Sequence, residues 1–327
     1  MKATVCVLAM LAHAAWCLSA YAQKGALIYP TKPIRLIVPY PPGAGTDFTA
    51  RAVGEKITEA LGQQVVIDSR PGAAATLGHA LVAKAPPDGY TLLLATAGGM
   101  VSAPALGLKI SYDPLKDFAL VGLATYVPYS LVSYGGLPPN NMREFIAYVK
   151  ERPGKLNFGS SGTGTPNHVG GVLLFKMTGI DMLHVPYKGG GPALVELVAG
   201  QVHAIFSSLP TVLPHIATGR LKVMGVGFSR RLKSAPEIPT IAETVPGFIN
   251  TGWWGIAAPQ GTPLAIVQKL NAVVNKGMQS PDVIRHFINN GLEPATSTPA
   301  ALQELIATEL QVWRKVIKDA QISVNAL

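Results

Sequence analysis

One arrangement recurs along the chain and limits the folds open to it: a short apolar run, a turn rich in glycine, then a stretch with helical periodicity. Residues 34–38, 65–67 and 90–95 are such runs in the first third, the last introduced by the turn Pro87-Asp88-Gly89. Residues 156–159, 183–185, 204–206 and 221–226 repeat the pattern in the middle. Runs that are apolar throughout suit strands buried on both faces, as in parallel sheets, and strands alternating with helices suit α/β units. Helices are expected to open near Asp47, to cover 166–178, and to run from Pro192 to a stop at Gly200, a suitable C′ glycine. Near the C-terminus, Thr262-Pro263 reads as an N-cap followed by Pro at the first helical position, with Ile266, Leu270, Val273 and Val274 on one face. A last helix from Thr298-Pro299 is expected to bury Leu302, Leu305, Ile306, Val312, Trp313, Val316 and Ile317.

The first 22 residues have a different character. Lys2 is their one charge, an apolar run follows to about Leu18, and Ala20-Tyr21-Ala22 is a small-x-small cleavage pattern. This reads as a secretory signal peptide over residues 1–22, cleaved near Ala22, because the run is shorter than the roughly 20 residues a bilayer span needs. Both cysteines, Cys6 and Cys17, lie inside it. The mature chain then holds no cysteine although it is exported to where disulfides form, which fits a large periplasmic protein. Cys17 is a poor lipidation site, since Trp16 precedes it where a small residue is needed.

The net charge of +9 falls to +8 when Lys2 leaves. The bases are scattered, with Arg230, Arg231 and Lys233 the densest group, so the charge is a general pull on anions and no nucleic-acid footprint. Motifs for zinc, for a nucleophile elbow and for a phosphate-binding lysine are absent from the sequence. Gly43-Ala44-Gly45-Thr46-Asp47-Phe48 lacks the third glycine of a dinucleotide fingerprint. No catalytic residue, metal or cofactor is expected. The histidines are dispersed and read as structural, with His168 singled out because it follows a Gly/Ser/Thr loop.

What remains is loops that follow a strand and open a helix. Backbone N–H groups in such loops, with the partial positive charge of the helix start, suit an anion. The first loop holds Tyr40, Pro42, Gly43, Ala44, Gly45, Thr46 and Asp47; the second holds Ser160, Ser161, Thr163, Gly164 and Thr165, with hydroxyls as further donors. Facing each other, the two would clamp one carboxylate without lysine or arginine. A third, Tyr187-Lys188-Gly189-Gly190-Gly191, offers Tyr187 as a flank and Gly189 as a donor, with Lys188 read as solvated. Thr96, Ala97, Met100 and Ser207 follow strands and are candidates for selectivity. Trp253-Trp254 reads as packing near a crossover between domains.

In order and spacing, YPTKPIRLIVPYPPGAGTD, SRPGAAATLG, PPDGYTLLLAT, GSSGTGTPNH, HVPYKGGGPAL and APQGTP resemble the substrate-binding receptors of tripartite tricarboxylate transporters, the Bug receptors, over nearly the whole mature chain. The resemblance implies an α/β two-domain periplasmic binding protein of Venus-flytrap type, each domain a mainly parallel sheet flanked by helices. Domain 1 would hold 30–125 and 252–327, domain 2 would hold 126–251, and the crossings would lie near 123–133 and 251–257. It implies a ligand carboxylate held between the first two loops. It also implies delivery to a small and a large membrane subunit, and a monomer is expected. Many relatives carry an acidic residue where this chain has Ser207, and an aspartate where it has His203; losing that partner for an ammonium group favours a simple, dicarboxylic, tricarboxylic or aromatic carboxylate over an amino acid. Two other readings stay open: a ligand sensor feeding a signalling membrane protein, and a serine hydrolase using Ser161 with His168.

Overall fold

The computed structural model describes residues 29–43 and 45–319. The expected signal peptide, Ala44 and the last eight residues lie outside them. Among the described residues no helix is long and apolar enough to cross a membrane.

Ten strands form one curled, mixed sheet: β1 (Ile34–Val38), β2 (Val65–Ser69), β3 (Thr91–Thr96), β4 (Phe118–Tyr134), β5 (Asn157–Ser160), β6 (Leu183–Pro186), β7 (Ala204–Ser208), β8 (Leu221–Val226), β9 (Thr251–Pro259) and β10 (Glu293–Pro294). Their order is β2-β1-β3-β9-β4-β7-β5-β6, with β8 and β10 paired to β4. The pairs β1–β2, β1–β3, β5–β6 and β5–β7 are parallel, as the apolar runs lead one to expect. The strands joining these two groups are not: β9 is antiparallel to β3 and to β4, and β4 is antiparallel to β7 and β8.

β4 is the spine of the sheet. Its first part pairs with β9 from Phe118↔Pro259 to Pro128↔Thr251, and its last part pairs with β7 from Tyr129↔Ser208 to Ser133↔Ala204. Register shifts between Leu120 and Gly122, Leu123 and Thr125, and Leu131 and Val132 bend it, as extra residues in one strand of a pair do.

Each part of the sheet buries apolar side chains on both faces. Around β1, β3, β9 and the first part of β4, one cluster joins Leu36, Val53 and Leu270, and another joins Leu93, Trp253, Leu302 and Ile306. Around β5, β7, β8 and the end of β4, one cluster centres on Phe158, Phe206 and Phe248, and another on Ile205, Leu197 and Leu221.

Three local expectations need correction. Pro263, not Thr262, is the N-cap of the helix Leu264–Met278; the Thr262 hydroxyl instead donates to the Pro259 carbonyl at 2.7 Å. Val312 is 52 % exposed, and the buried stripe of the helix Pro299–Asp319 runs through Leu302, Ile306, Leu310 and Ile317. Steps of four, four and seven keep those residues on one face, whereas Val312 is turned well away from it. The helix Gly190–Val198 starts two residues earlier than Pro192, and Gly200, at φ 77°, closes it as expected.

Candidate functional site

A cleft of about 250 Å³ opens where β1, β3, β5, β6 and β7 end. Ligands of open α/β sheets sit beyond the carboxyl ends of the strands, because loops and helix starts gather there. One wall comes from Tyr40, Pro41, Pro42, Gly43, Gly45 and Thr46 after β1, with Thr96, Ala97 and Gly98 after β3. The facing wall comes from Ser161 and Asn167, from Lys188, Gly189, Gly190, Gly191 and Pro192, and from Ser207, Ser208 and Thr211. Tyr129 of β4 and Trp254 of β9 close the floor.

Four helices begin at this cleft: Gly45–Leu61, Pro166–Thr178, Gly190–Val198 and Leu209–Ala217. Each brings unpaired N–H groups and the positive end of its dipole toward the same space. Lys188 is the one charged residue among the described lining residues, which include no Asp or Glu. The field in the cleft therefore favours an anion and offers no partner to an ammonium group. The hydroxyl of Thr46 is buried in the cleft wall without a hydrogen-bond partner. A buried polar atom left unpaired costs free energy that a bound acceptor or donor returns.

The first loop is shaped by its own residues. Gly43 has φ 81°, a conformation that a side chain disfavours. Its N–H donates to Asp47 Oδ2 at 3.3 Å, and Arg51 Nε donates to the same oxygen at 3.1 Å. Asp47 thus organises the loop from behind. The Trp254 ring packs against Gly45, where an added Cβ would lie 2.8 Å from Cη2. Tyr40 is half-buried in the wall, and its burial pushes its pKa up to about 12 while the Thr96 side chain pulls it partly back. It therefore stays a neutral phenol at the cleft wall.

The second loop is pinned from below. Gly164, at φ 83°, donates its N–H to His168 Nδ1 at 3.2 Å. Gly162 donates to Ser160 Oγ at 3.2 Å, and that hydroxyl lies 2.7 Å from His184 Nε2. The His168 and His184 rings lie 4.3 Å apart between centroids, tilted by 32° to one another. Burial lowers the pKa of His168 to about 3 and of His184 to about 4, so both are neutral near pH 7. Ser161 Oγ donates to Thr165 Oγ1 at 3.1 Å, and His168 is engaged by Gly164, so the Ser161–His168 dyad of a hydrolase is not assembled. Ser160 does meet a histidine, yet it is fully buried and has no route to a substrate.

Of the residues singled out from sequence, Tyr40, Pro42, Gly43, Gly45, Thr46, Thr96, Ser161, Gly189 and Ser207 come together in the cleft. Asp47, Ser160, Thr163, Gly164, Thr165, His168 and Tyr187 do not line it. Asp47, Ser160, Gly164, Thr165 and His168 hold loop backbone or hydroxyls instead, and Tyr187 packs beside Leu197 and Ile205. Ala44 lies outside the described residues. Met100 is wholly in the core. Lys188 reaches the cleft rim while remaining exposed. The tryptophan pair divides: Trp253 is buried with its indole N–H on Glu309 at 2.8 Å, whereas Trp254 faces the cleft.

Asn167, Ser208, Thr211 and Tyr129 were not singled out. Asn167, Ser208 and Thr211 sit at helix starts, which the Pro after each strand could have signalled; Tyr129 had no local signal. The side-chain amide of Asn167 donates to the Phe206 carbonyl at 2.6 Å, tying the second loop's helix to β7.

Residues 49–322 match the model of the tripartite tricarboxylate transporter family receptor. An R. palustris protein solved with adipate is 34 % identical, with a TM-score of 0.87 over 90 % of this chain and 99 % of that one. The periplasmic binding protein BugD is 33 % identical, with a TM-score of 0.84 over 90 % and 99 %. MatC from Rhodopseudomonas palustris, solved with bound malate, is 34 % identical, with a TM-score of 0.81 over 88 % and 100 %. The fold is that of the periplasmic binding proteins.

Proposed function

Because this chain belongs to the tripartite tricarboxylate transporter receptor family, we propose that it is a periplasmic solute receptor that holds a small carboxylate in this cleft and delivers it to a tripartite membrane transporter. The observation that carries the reading is the meeting of four helix starts and the unpaired Thr46 hydroxyl in a cleft lined by no acidic side chain among the described residues. The adipate and malate held by two structural relatives are small dicarboxylates, which agrees with such a field.

In this reading Thr46, Thr96 and Ser207 supply hydroxyl donors, Ser161 joins them when its hydroxyl turns from Thr165 to the ligand, the glycine-rich turns supply N–H groups, and Lys188 adds charge at the rim. The chain divides into 30–125 with 252–327 and into 126–251. The separation of the apolar clusters along β4 supports this, since few buried side chains are shared between the two parts. An anion that touches both walls stabilises the closed arrangement through contacts the open one lacks, and β4 and β9 absorb the rotation. Export through residues 1–22 places the receptor in the periplasm.

A thermal-shift screen of the chain from residue 23, against adipate, malate, citrate, benzoate and amino acids, tests the proposal. A ligand at a hundred times its Kd stabilises by about 2.7 kcal/mol. Stabilisation by one carboxylate class supports the reading. Stabilisation by amino acids alone, or by none of these, refutes it.

A further inference from the structure

The second loop carries four glycine or serine N–H groups that sequence alone would aim at a ligand, yet only Ser161 of residues 160–165 reaches the cleft. The reason lies beneath the loop. Gly164 N–H is taken by His168 Nδ1, which places that ring's proton on Nε2. Gly162 N–H is taken by Ser160 Oγ. The same Ser160 oxygen lies 2.7 Å from His184 Nε2, so that ring anchors the acceptor of the Gly162 N–H. The two ring nitrogens left over, His168 Nε2 and His184 Nδ1, are buried without partners.

We infer that His168 and His184 are positioning residues: a pair of closely spaced rings that draws the Gly162 and Gly164 N–H groups inward, His168 directly and His184 through the Ser160 hydroxyl, and so fixes which face of the loop meets the ligand. The inference rests on the cleft being the ligand site. Its chemistry is specific. Loss of the His168 acceptor leaves the Gly164 N–H unpaired, so that it turns toward the cleft or toward water, and loss of the His184 ring frees the Ser160 hydroxyl that takes the Gly162 N–H. Asparagine at 168 keeps an acceptor where Nδ1 sits, and glutamine at 184 keeps a hydrogen-bonding amide where Nε2 sits; leucine at either position keeps bulk alone.

The test has two arms. In the first, ¹⁵N-histidine NMR of the ligand-free wild-type protein reads the tautomers. The expected result is a His168 ring that is neutral and protonated at Nε2, assigned by the loss of its signal in His168→Asn, with the His184 signal assigned likewise in His184→Gln. A His168 ring protonated at Nδ1, or charged at pH 7, overturns the inference. In the second arm, calorimetry with adipate as the probe compares variants. His168→Leu and His184→Leu are expected to raise the Kd roughly tenfold, about the worth of one hydrogen bond, while His168→Asn and His184→Gln stay within about threefold of wild type. Leucine variants that fold and bind adipate like wild type overturn the inference. Should wild-type protein give no heat with adipate, that ligand is excluded from the cleft, and the His168 tautomer alone decides the inference.

Discussion

Lowering the pH from 7 to 5 sets two buried groups against a third. His79 and His168 are fully buried, and burial pushes their pKa values down to about 4 and about 3. An unfolded histidine takes a proton near 6.5, so between that value and the folded pKa only the unfolded chain gains one, and stability falls as pH falls. At pH 5 each of these histidines costs about 2 kcal/mol. His184, more solvated, adds less in the same direction.

Glu309 acts oppositely. Burial pushes its pKa up to about 7, against 4.5 unfolded, while the Trp253 N–H pulls it partly back. Between those values the folded chain gains the proton, and stability rises as pH falls, by about 2 kcal/mol between pH 7 and 5. The carboxyl thus offsets about half of what His79 and His168 cost, and wild-type stability should fall by about 2 kcal/mol over that range. In Glu309→Gln the amide carbonyl still accepts from Trp253 but no longer titrates. That variant should lose about 4 kcal/mol over the same range, or about 8 °C in Tm at roughly 2 °C per kcal/mol for a chain of this size. Thermal melts of both proteins at pH 7, 6 and 5 decide it. Parallel pH profiles for the two proteins would refute the raised carboxyl, and a flat profile in Glu309→Gln would refute the neutral buried histidines.

Thr46→Val should leave the empty protein as stable as wild type or slightly more so, since the lost hydroxyl has no partner, and should weaken carboxylate binding by roughly tenfold or more in calorimetry. Gly45→Ala should cut affinity, because the new Cβ lies 2.8 Å from Trp254 Cη2 and drives the ring into the cleft; titration of the variant with the screened ligand reads this, and unchanged affinity would show that the ring can move aside. Leu310→Ala should cost about 2–5 kcal/mol and Val312→Ala no more than about 0.5 kcal/mol, read by urea melts, since Leu310 is buried and Val312 exposed.

The strands and the helices that open the cleft were legible because their signals are local. β1, β3, β5 and β7 end within two residues of the apolar runs that announce them, and glycines after the first three mark the loops. The antiparallel course of β4 and β9 was not legible. Leu123, Val127 and Leu131 look the same in a parallel or an antiparallel strand, since both bury both faces. The helix Met142–Lys150 carried a readable start that went unused: Asn141 accepts from the Glu144 N–H at 3.0 Å, three residues on.

Both loops read from the sequence border the cleft, but about half of their side chains face away from it. Which face of a Gly/Ser loop meets solvent depends on what lies beneath it, and His184, 24 residues from Ser160, is invisible to a local reading. Tyr129 and Trp254 reach the cleft because β4 and β9 pass under it, which only the strand order reveals.

The most direct measurement is a crystal structure of the chain from residue 23 grown with the carboxylate that most stabilises it. The account predicts a carboxylate oxygen within hydrogen-bond distance of Thr46 Oγ1, with Ser161 or Ser207 engaging the same ligand from the facing wall. A ligand bound elsewhere, or one that leaves the Thr46 hydroxyl unpaired, would contradict it.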